Sequence, residues 1–246
     1  MIYITGDCHG DFSRFDKETF SNLIKDDYVI ICGDFGGIWD NKKIISRVEK
    51  KNLRELTKMN FTTLFVDGNH ENFDRLYKYP IIDWKGGKVH KINSSIYHLM
   101  RGEVYEIDGK KIFAFGGAES HDIKDGIINI GEEYRIEELK KKHGAYRIRG
   151  YSWWDRELPT YEELENGLKN LEKNDYKVDY IITHCAPTSI QNFFNQYYPI
   201  NRLTDYLEEI KNKVDFKKWY FGHYHKNNMD TFDNYVCLYE KIIEIK

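Results

Sequence analysis

Ile2-Tyr3-Ile4-Thr5-Gly6-Asp7-Cys8-His9-Gly10 is a short apolar run that feeds straight into an Asp-x-His triplet flanked by glycines. The pattern returns twice. Tyr28–Cys32 leads into Gly33-Asp34-Phe35-Gly36-Gly37, and Phe61–Val66 leads into Gly68-Asn69-His70-Glu71. Each run has strand length and strand composition. Between the second and third, Asn41–Met59 carries Ile44, Ile45, Val48, Leu53 and Leu56 at near-helical spacing among Lys, Arg and Glu. This β–loop–α–β order pairs strands in parallel through crossover helices, which makes the fold α/β. Asp11–Asn22, with Phe12, Phe15 and Phe20, reads as a turn plus a short helix.

The middle of the chain changes character. Val89–Ile92, Ser95–Met100, Gly102–Ile107 and Lys111–Phe115 are strand candidates, and Asp108-Gly109 is a two-residue hairpin signal. The region is expected to form an antiparallel meander. Glu132–Lys142, Tyr161–Glu172 and Leu203–Lys211 read as helices, and Asp179–Thr183 and Trp219–Phe221 as strands. These two strands lead into Thr183-His184-Cys185-Ala186-Pro187 and Gly222-His223-Tyr224-His225. Met229–Phe232 and Tyr235–Ile245 are expected to close the chain as a hairpin. No repeat, low-complexity tract or linker divides the sequence, so residues 1–246 read as one domain. The long charged stretch around 121–149 reads as an insertion or a lid over the site.

Composition excludes several classes. With 37 Lys+Arg against 40 Asp+Glu the net charge is −3, so there is no global basic field for nucleic acid and no acidic tail. Aromatic residues make up 15% of the 246 residues, which argues against disorder. Cys8, Cys32, Cys185 and Cys237 form no CxxC pair, as expected for a reducing cytosol. No run of about 18 apolar residues predicts a membrane span. The N-terminus lacks the signature of a cleavable signal. A cytoplasmic protein without a membrane partner is expected. The oligomeric state is open.

Asp7, His9, Asp34, Asn69, His184, His223 and His225 together offer oxygen and nitrogen ligands for two metal ions. In extended backbone, residues i and i+2 point to one side. Asp7 and His9 could then reach one ion with Cys8 turned away, and His223 and His225 likewise with Tyr224 turned away. Mixed carboxylate, imidazole and amide sets suit ions of the Mn, Fe and Zn type. A structural zinc site would favour thiolates at CxxC spacing instead. Only Asp7 and Asp34 among these ligands carry charge, so two divalent ions would leave the site net positive. That suits a phosphate ester, and two such ions can clamp an in-line displacement. The bland alternative, that these residues only cap loops and turns, requires all seven to fall into matched positions by chance.

At these residues the chain resembles the calcineurin-like metallophosphoesterase superfamily. The five blocks occur in family order from residue 6 to residue 225. The resemblance implies a four-layer αββα sandwich of two mixed β-sheets flanked by helices. It implies one ion held by Asp7, His9 and His225, a second held by Asn69, His184 and His223, and Asp34 bridging both. Manganese is the first expectation, with Fe, Zn, Ni or Mg as alternatives. A hydroxide bridging the ions would attack phosphorus, and His70 would be the general acid rather than a ligand. An acidic neighbour, Asp40 or Glu71, would help His70 keep its proton.

One departure matters. Phosphoprotein phosphatases of the superfamily carry an Asp-Arg pair soon after the second block, whereas this chain continues Gly36-Gly37-Ile38-Trp39-Asp40. The segment Gly116–Asp122 and Trp153-Trp154 resemble a group of bacterial and phage phosphoesterases. The expected substrate is a phosphate ester, with nucleotide and phosphoprotein both open. A phosphodiesterase or nuclease is the alternative, and a non-catalytic metal-binding interaction module the third, which would predict eroded ligands.

Arg101, Arg147 and Arg149 are candidates for gripping phosphate oxygens, since guanidinium matches that geometry; solvated surface arginine is the bland alternative. His121, in a glycine-rich segment, is a candidate pocket residue. Trp153-Trp154 could stack a base or divide between core and surface.

Overall fold

A computed structural model of the chain describes residues 1–15, 20–41, 45–227 and 234–245. The first third holds β1 (Ile2–Thr5), β2 (Tyr28–Ile31), α1 (Arg47–Thr57), β3 (Thr62–Phe65) and α2 (Phe73–Leu76). The middle adds β4 (Ile81–Trp84), β5 (Gly87–Lys91), β6 (Ile96–Leu99), β7 (Glu103–Ile107), β8 (Lys110–Phe115), β9 (Ile127–Ile128), α3 (Tyr134–Lys141) and β10 (Arg147–Ile148). A 3-10 turn, Asp155–Glu157, leads to α4 (Tyr161–Glu172), β11 (Tyr180–Thr183), α5 (Thr188–Phe194), α6 (Arg202–Lys213), β12 (Lys218–Phe221), β13 (Tyr235–Cys237) and β14 (Ile242–Ile245).

Two mixed sheets result. One runs β14-β1-β2-β3-β6-β5-β4, the other β13-β12-β11-β8-β7. The central strands β1, β2, β3 and β6 pair in parallel, as do β8, β11, β12 and β13. Strand alternation sorts the apolar residues into three packed layers. Ile4, Ile30 and Leu64 face Ile112, Ala114 and Ile182 between the sheets. Val29, Ile31 and Phe65 pack outward with Phe35 and with Leu56 of α1. Ile181 and Trp219 pack outward with Leu171 of α4 and Leu203, Leu207 and Ile210 of α6. The architecture is the expected four-layer αββα sandwich. No helix among the described residues is long and apolar enough to cross a membrane.

Several local expectations are corrected. Helix α1 begins at Arg47 rather than Asn41, because the Ser46 side chain accepts from Glu49 N and caps the helix there. Residues 42–44 lie outside the described ones, as do 16–19 of the expected helix Asp11–Asn22; the described flanks of that stretch are turns and irregular backbone. The middle region is not one meander. Strands β4–β6 complete the first sheet, and β7–β8 start the second. Their hairpin turns at Asp108 (φ 51°) and Gly109 (φ 70°), the left-handed pair that a two-residue turn requires. The closing hairpin is also overturned. Tyr235–Cys237 pairs parallel to β12 in one sheet, and Ile242–Ile245 pairs antiparallel to β1 in the other. Met229–Phe232 falls outside the described residues.

A buried polar network lies behind β3. Arg101, expected as a phosphate contact, has its side chain fully enclosed. Its Nε donates to Asp67 Oδ2 at 3.0 Å, its Nη1 to Glu163 Oε2 at 3.2 Å and its Nη2 to the Arg156 carbonyl at 2.6 Å. His98 Nε2 lies 2.9 Å from Asp67 Oδ1, and His90 stacks on His98. Arg101 is therefore a structural residue that no substrate can reach, because all its donors are turned inward. Removing one member of a buried ion pair costs about 3–5 kcal/mol. Arg101→Ala is expected to lose that much stability in urea unfolding; a loss under 1 kcal/mol would contradict this assignment.

Candidate metal centre

All five motif loops leave the C-terminal ends of parallel strands, where open α/β sheets place their sites. Gly6–Gly10 follows β1, Cys32–Gly37 follows β2, Val66–Glu71 follows β3, His184–Pro187 follows β11 and Gly222–His225 follows β12. The loops are laced together. His9 N and Gly10 N donate to the Asp34 and Phe35 carbonyls at 2.7 and 2.9 Å, and Phe35 N donates to Glu71 Oε1 at 2.7 Å. Gly222 N donates to the His184 carbonyl at 3.0 Å.

The ligand candidates do not sit on extended backbone. His9 (φ 48°), Asp34 (φ 44°), His223 (φ 68°) and His225 (φ 49°) are all left-handed. Non-glycine residues pay for that conformation, and such strain clusters at functional sites. The same-side reasoning for His223 and His225 is thereby corrected. His225 Nε2 lies 3.1 Å from both Asp7 Oδ2 and His9 Nε2, whereas the His223 ring lies beside those of His184 and His121. Two flanking glycines serve close approach instead of φ freedom. A Cβ on Gly68 would overlap Asp34 Oδ1, and one on Gly222 would overlap Asp7 Oδ1.

Three groups of donor atoms emerge among the described residues. Asp7, His9 and His225 have ligand atoms within 4.8 Å of one another, and so do Asp7, Asp34 and His184, and His9, Asp34 and His70. Asp34 belongs to two of the groups. Its Oδ1 is 3.3 Å from His184 Nε2, and its Oδ2 is 3.8 Å from His9 Nδ1. Asn69 Oδ1 is 3.3 Å from His184 Nε2. Asp7, Asp34, Asn69 and His184 are buried, while His9 and His225 open to solvent.

The set fits divalent cations on three counts. Asp7 Oδ2 is fully buried yet accepts no well-formed hydrogen bond. Such an oxygen is costly unless a cation faces it. His184 Nδ1 lies 2.8 Å from the Cys32 carbonyl, which accepts only, so Nε2 is left to face Asp34 and Asn69. A backbone acceptor that fixes the tautomer in this way is the usual support of a metal-bound imidazole. Third, burial opposes a charge on His184, but Asp34 and Asp7 outweigh it and hold the ring at about 10. The two buried carboxylates thus favour positive charge at this position. Cys8 and Cys185, whose buried thiols are pushed up to about 12, belong to none of the donor groups among the described residues.

His70 lies at the edge of the group. Its backbone N–H donates to Asp34 Oδ1 at 2.8 Å, and its Nε2 is 3.3 Å from Arg147 Nη2. Burial lowers its pKa and Arg147 adds to this, while Asp34 and Asp122 oppose. Asp122 also holds Arg147, accepting from Nε at 3.0 Å and Nη2 at 2.6 Å. The expected acidic neighbours serve elsewhere: Glu71 braces Phe35, and Asp40 accepts from Ser46 N.

Arg147 is thus brought to the site, and Arg149 is not. Arg149 pairs with Asp155, hydrogen bonds Asn129 at 2.8 Å and lies over the Trp153 ring. His121 lines the site, stacked on Tyr198 at 4.1 Å and 4.6 Å from the His223 ring. Trp154 is core, its Nε1 donating to Asp74 Oδ2, while Trp153 is half-exposed. Sequence reasoning missed Asp122, Ser120 and Glu157. Ser120 Oγ accepts from Asn69 Nδ2 at 3.3 Å, and Glu157 accepts from both Ser120 N and Oγ at 3.0 Å. Burial lifts the Glu157 carboxyl to about 8 against the hydrogen bonds from Ser120.

Fold and site together define an α/β protein with a histidine–carboxylate centre at the strand ends of two mixed sheets. The profile of the calcineurin-like phosphoesterase family matches residues 1–227, and the chain belongs to that family. Members are metal-dependent phosphoester hydrolases. The lariat debranching enzyme of Danio rerio is 23% identical over 210 residues, covering 79% of this chain and 32% of that protein. That of Homo sapiens is 21% identical over 229 residues, covering 87% and 37%. The chain therefore spans about a third of the length of these relatives. Among solved structures, phosphopantetheinyl hydrolase from Mycobacterium tuberculosis is similar, with 14% identity, 97% of this chain and 87% of that chain covered, and a TM-score of 0.43.

Asp34→Asn is expected to reduce bound Mn(II), measured by elemental analysis after gel filtration, to at most one ion per chain. Two ions in that variant would contradict a shared role for Asp34.

Proposed function

We propose that the chain is a phosphoric ester hydrolase working with two divalent cations. Asp7, His9 and His225 would hold one, Asn69, His184 and His223 the other, with Asp34 shared. The observation that carries this is the placement of Asp34, a buried carboxylate whose two oxygens face two different histidines. The mixed oxygen and nitrogen donors suit manganese first, then iron, zinc, nickel or magnesium. Cations in these positions supply Lewis-acid activation of water and neutralise charge on a phosphoryl group.

The remaining chemistry belongs to the chain. Arginine has only donors, so the lone pair of His70 Nε2 faces Arg147 in the free protein. A substrate whose phosphoryl oxygen draws Arg147 away frees Nε2, and its negative charge favours a proton there. His70 can then protonate the leaving oxygen, anchored beside the reaction centre by its N–H bond to Asp34. Arg147, held by Asp122, is the phosphate grip. It comes from the 121–149 stretch, whose helix α3 buries none of its residues. We take that stretch as a lid on the single 1–246 domain.

A second reading is a phosphodiesterase or nuclease. It is favoured by the similarity to lariat debranching enzymes across 79–87% of this chain. The missing Asp-Arg pair after the second block speaks against a phosphoprotein substrate. Faster hydrolysis of a bis-aryl than a mono-aryl phosphate would select the diester reading. No hydrolysis of either with Mn(II) present would leave a binding module.

General acid–base catalysis contributes about 10²–10⁴-fold. His70→Ala is expected to keep its metal content yet lose that factor in kcat on an ester with a poor leaving group, and far less on an activated aryl ester. Equal losses on both esters would remove the acid role. Hydrogen bonds from charged groups contribute about 1.5–3 kcal/mol. Arg147→Ala should therefore lower kcat/KM by roughly 10–100-fold, with Arg147→Lys between; an unchanged kcat/KM would remove the phosphate grip.

A further inference from the structure

Asn69 has an amide that could face the centre with either its oxygen or its nitrogen. Only the oxygen can ligate a cation. Nothing in the motif around Asn69 decides between them. Ser120, 51 residues away, receives the amide nitrogen at 3.3 Å. Its hydroxyl is in turn 3.0 Å from Glu157 Oε1, and its own N–H is 3.0 Å from Glu157 Oε2. Ser120 and Glu157 are both 2% exposed, so no solvent competes for these bonds.

The order of donors follows from the chemistry. Each Glu157 oxygen accepts one bond, Oε2 from the Ser120 N–H and Oε1 from the Ser120 O–H. The Ser120 oxygen is then left with lone pairs only, and it faces Asn69 as an acceptor. That fixes the Asn69 amide with its nitrogen toward Ser120 and its oxygen toward His184 Nε2, 3.3 Å away.

Glu157 itself has little freedom. It ends the 3-10 turn Asp155–Glu157, and its N–H donates to the Trp154 carbonyl at 3.1 Å. Trp154 is anchored on Asp74, and the Arg156 carbonyl is held by buried Arg101.

We infer that Ser120 and Glu157 are positioning residues for the second cation: a two-member relay that orients the Asn69 amide oxygen. The inference rests on the proposed two-cation reading. Supports of this kind are typically worth 10–100-fold in metal affinity. Neither residue contacts Asp7, His9 or His225, so the first cation should be unaffected.

The test is Mn(II) titration of the wild type, Ser120→Ala and Glu157→Gln, with binding by equilibrium dialysis and low-temperature electron paramagnetic resonance. Glu157→Gln keeps the shape but replaces one acceptor with a donor. The wild type is expected to bind two Mn(II) and give a spin-coupled signal. Both variants should keep the first site at wild-type affinity, bind the second roughly 10–100-fold more weakly, and show an isolated Mn(II) signal at one equivalent. Wild-type affinity at both sites in the variants would overturn the relay, as would equal weakening of both sites. A wild type that binds fewer than two ions would overturn the two-cation reading with it. If Glu157→Gln does not fold, Ser120→Ala decides alone by the same two readouts.

Discussion

Two buried carboxylates on neighbouring parallel strands set the terms for the rest of this structure. Asp7 and Asp34 leave the ends of β1 and β2 with almost no solvent exposure. Charges of one sign so placed are costly unless cations or hydrogen bonds meet them. The chain answers with backbone donors at one oxygen of each: His223 N at Asp7 Oδ1 and His70 N at Asp34 Oδ1, at 2.9 and 2.8 Å. The other oxygens face histidines. Each donor comes from a loop of a different strand, so the centre itself ties the loops together across both sheets.

That constraint explains the backbone. Four candidate ligands take left-handed φ, and glycines 68 and 222 clear the space in which the carboxylate oxygens lie. The strain is sustained because β1, β2, β3, β11 and β12 are central strands, packed on both faces. Around this rigid base the stretch from Ser120 to Glu157 reaches over with Arg147 toward His70 and Ser120 toward Asn69. The donor groups come from short motifs, and the side chains that reach them from outside, Arg147 and Ser120, from one long segment.

What could be read from the sequence follows the same division. The strand-end positions of Asp7, His9, Asp34, Asn69, His184, His223 and His225 were legible because each motif follows an apolar run, so local order already places it there. The four-layer sandwich was legible through the same runs together with the family resemblance. Arg101 was misjudged because its partners, Asp67 and Glu163, lie 34 and 62 residues away. Ser120 was flagged only as part of the segment Gly116–Asp122 and Glu157 not at all, since a serine and a glutamate 37 residues apart show nothing of a shared hydrogen bond. The closing strands were misassigned because sheet membership is not local. Tyr235–Cys237 and Ile242–Ile245 look like hairpin partners, yet each completes a different sheet. Edge strand β4 was missed because its four residues, Ile81-Ile82-Asp83-Trp84, are too short a run to show alternation.

The shared position of Asp34 is tested most directly by anomalous X-ray diffraction from crystals grown with Mn(II). Two anomalous peaks roughly 3.5–4 Å apart are predicted, one on each side of the Asp34 carboxylate, with Asp7, His9 and His225 around one and Asn69, His184 and His223 around the other. A single peak, or two peaks of which either leaves Asp34 uncoordinated, would contradict the account.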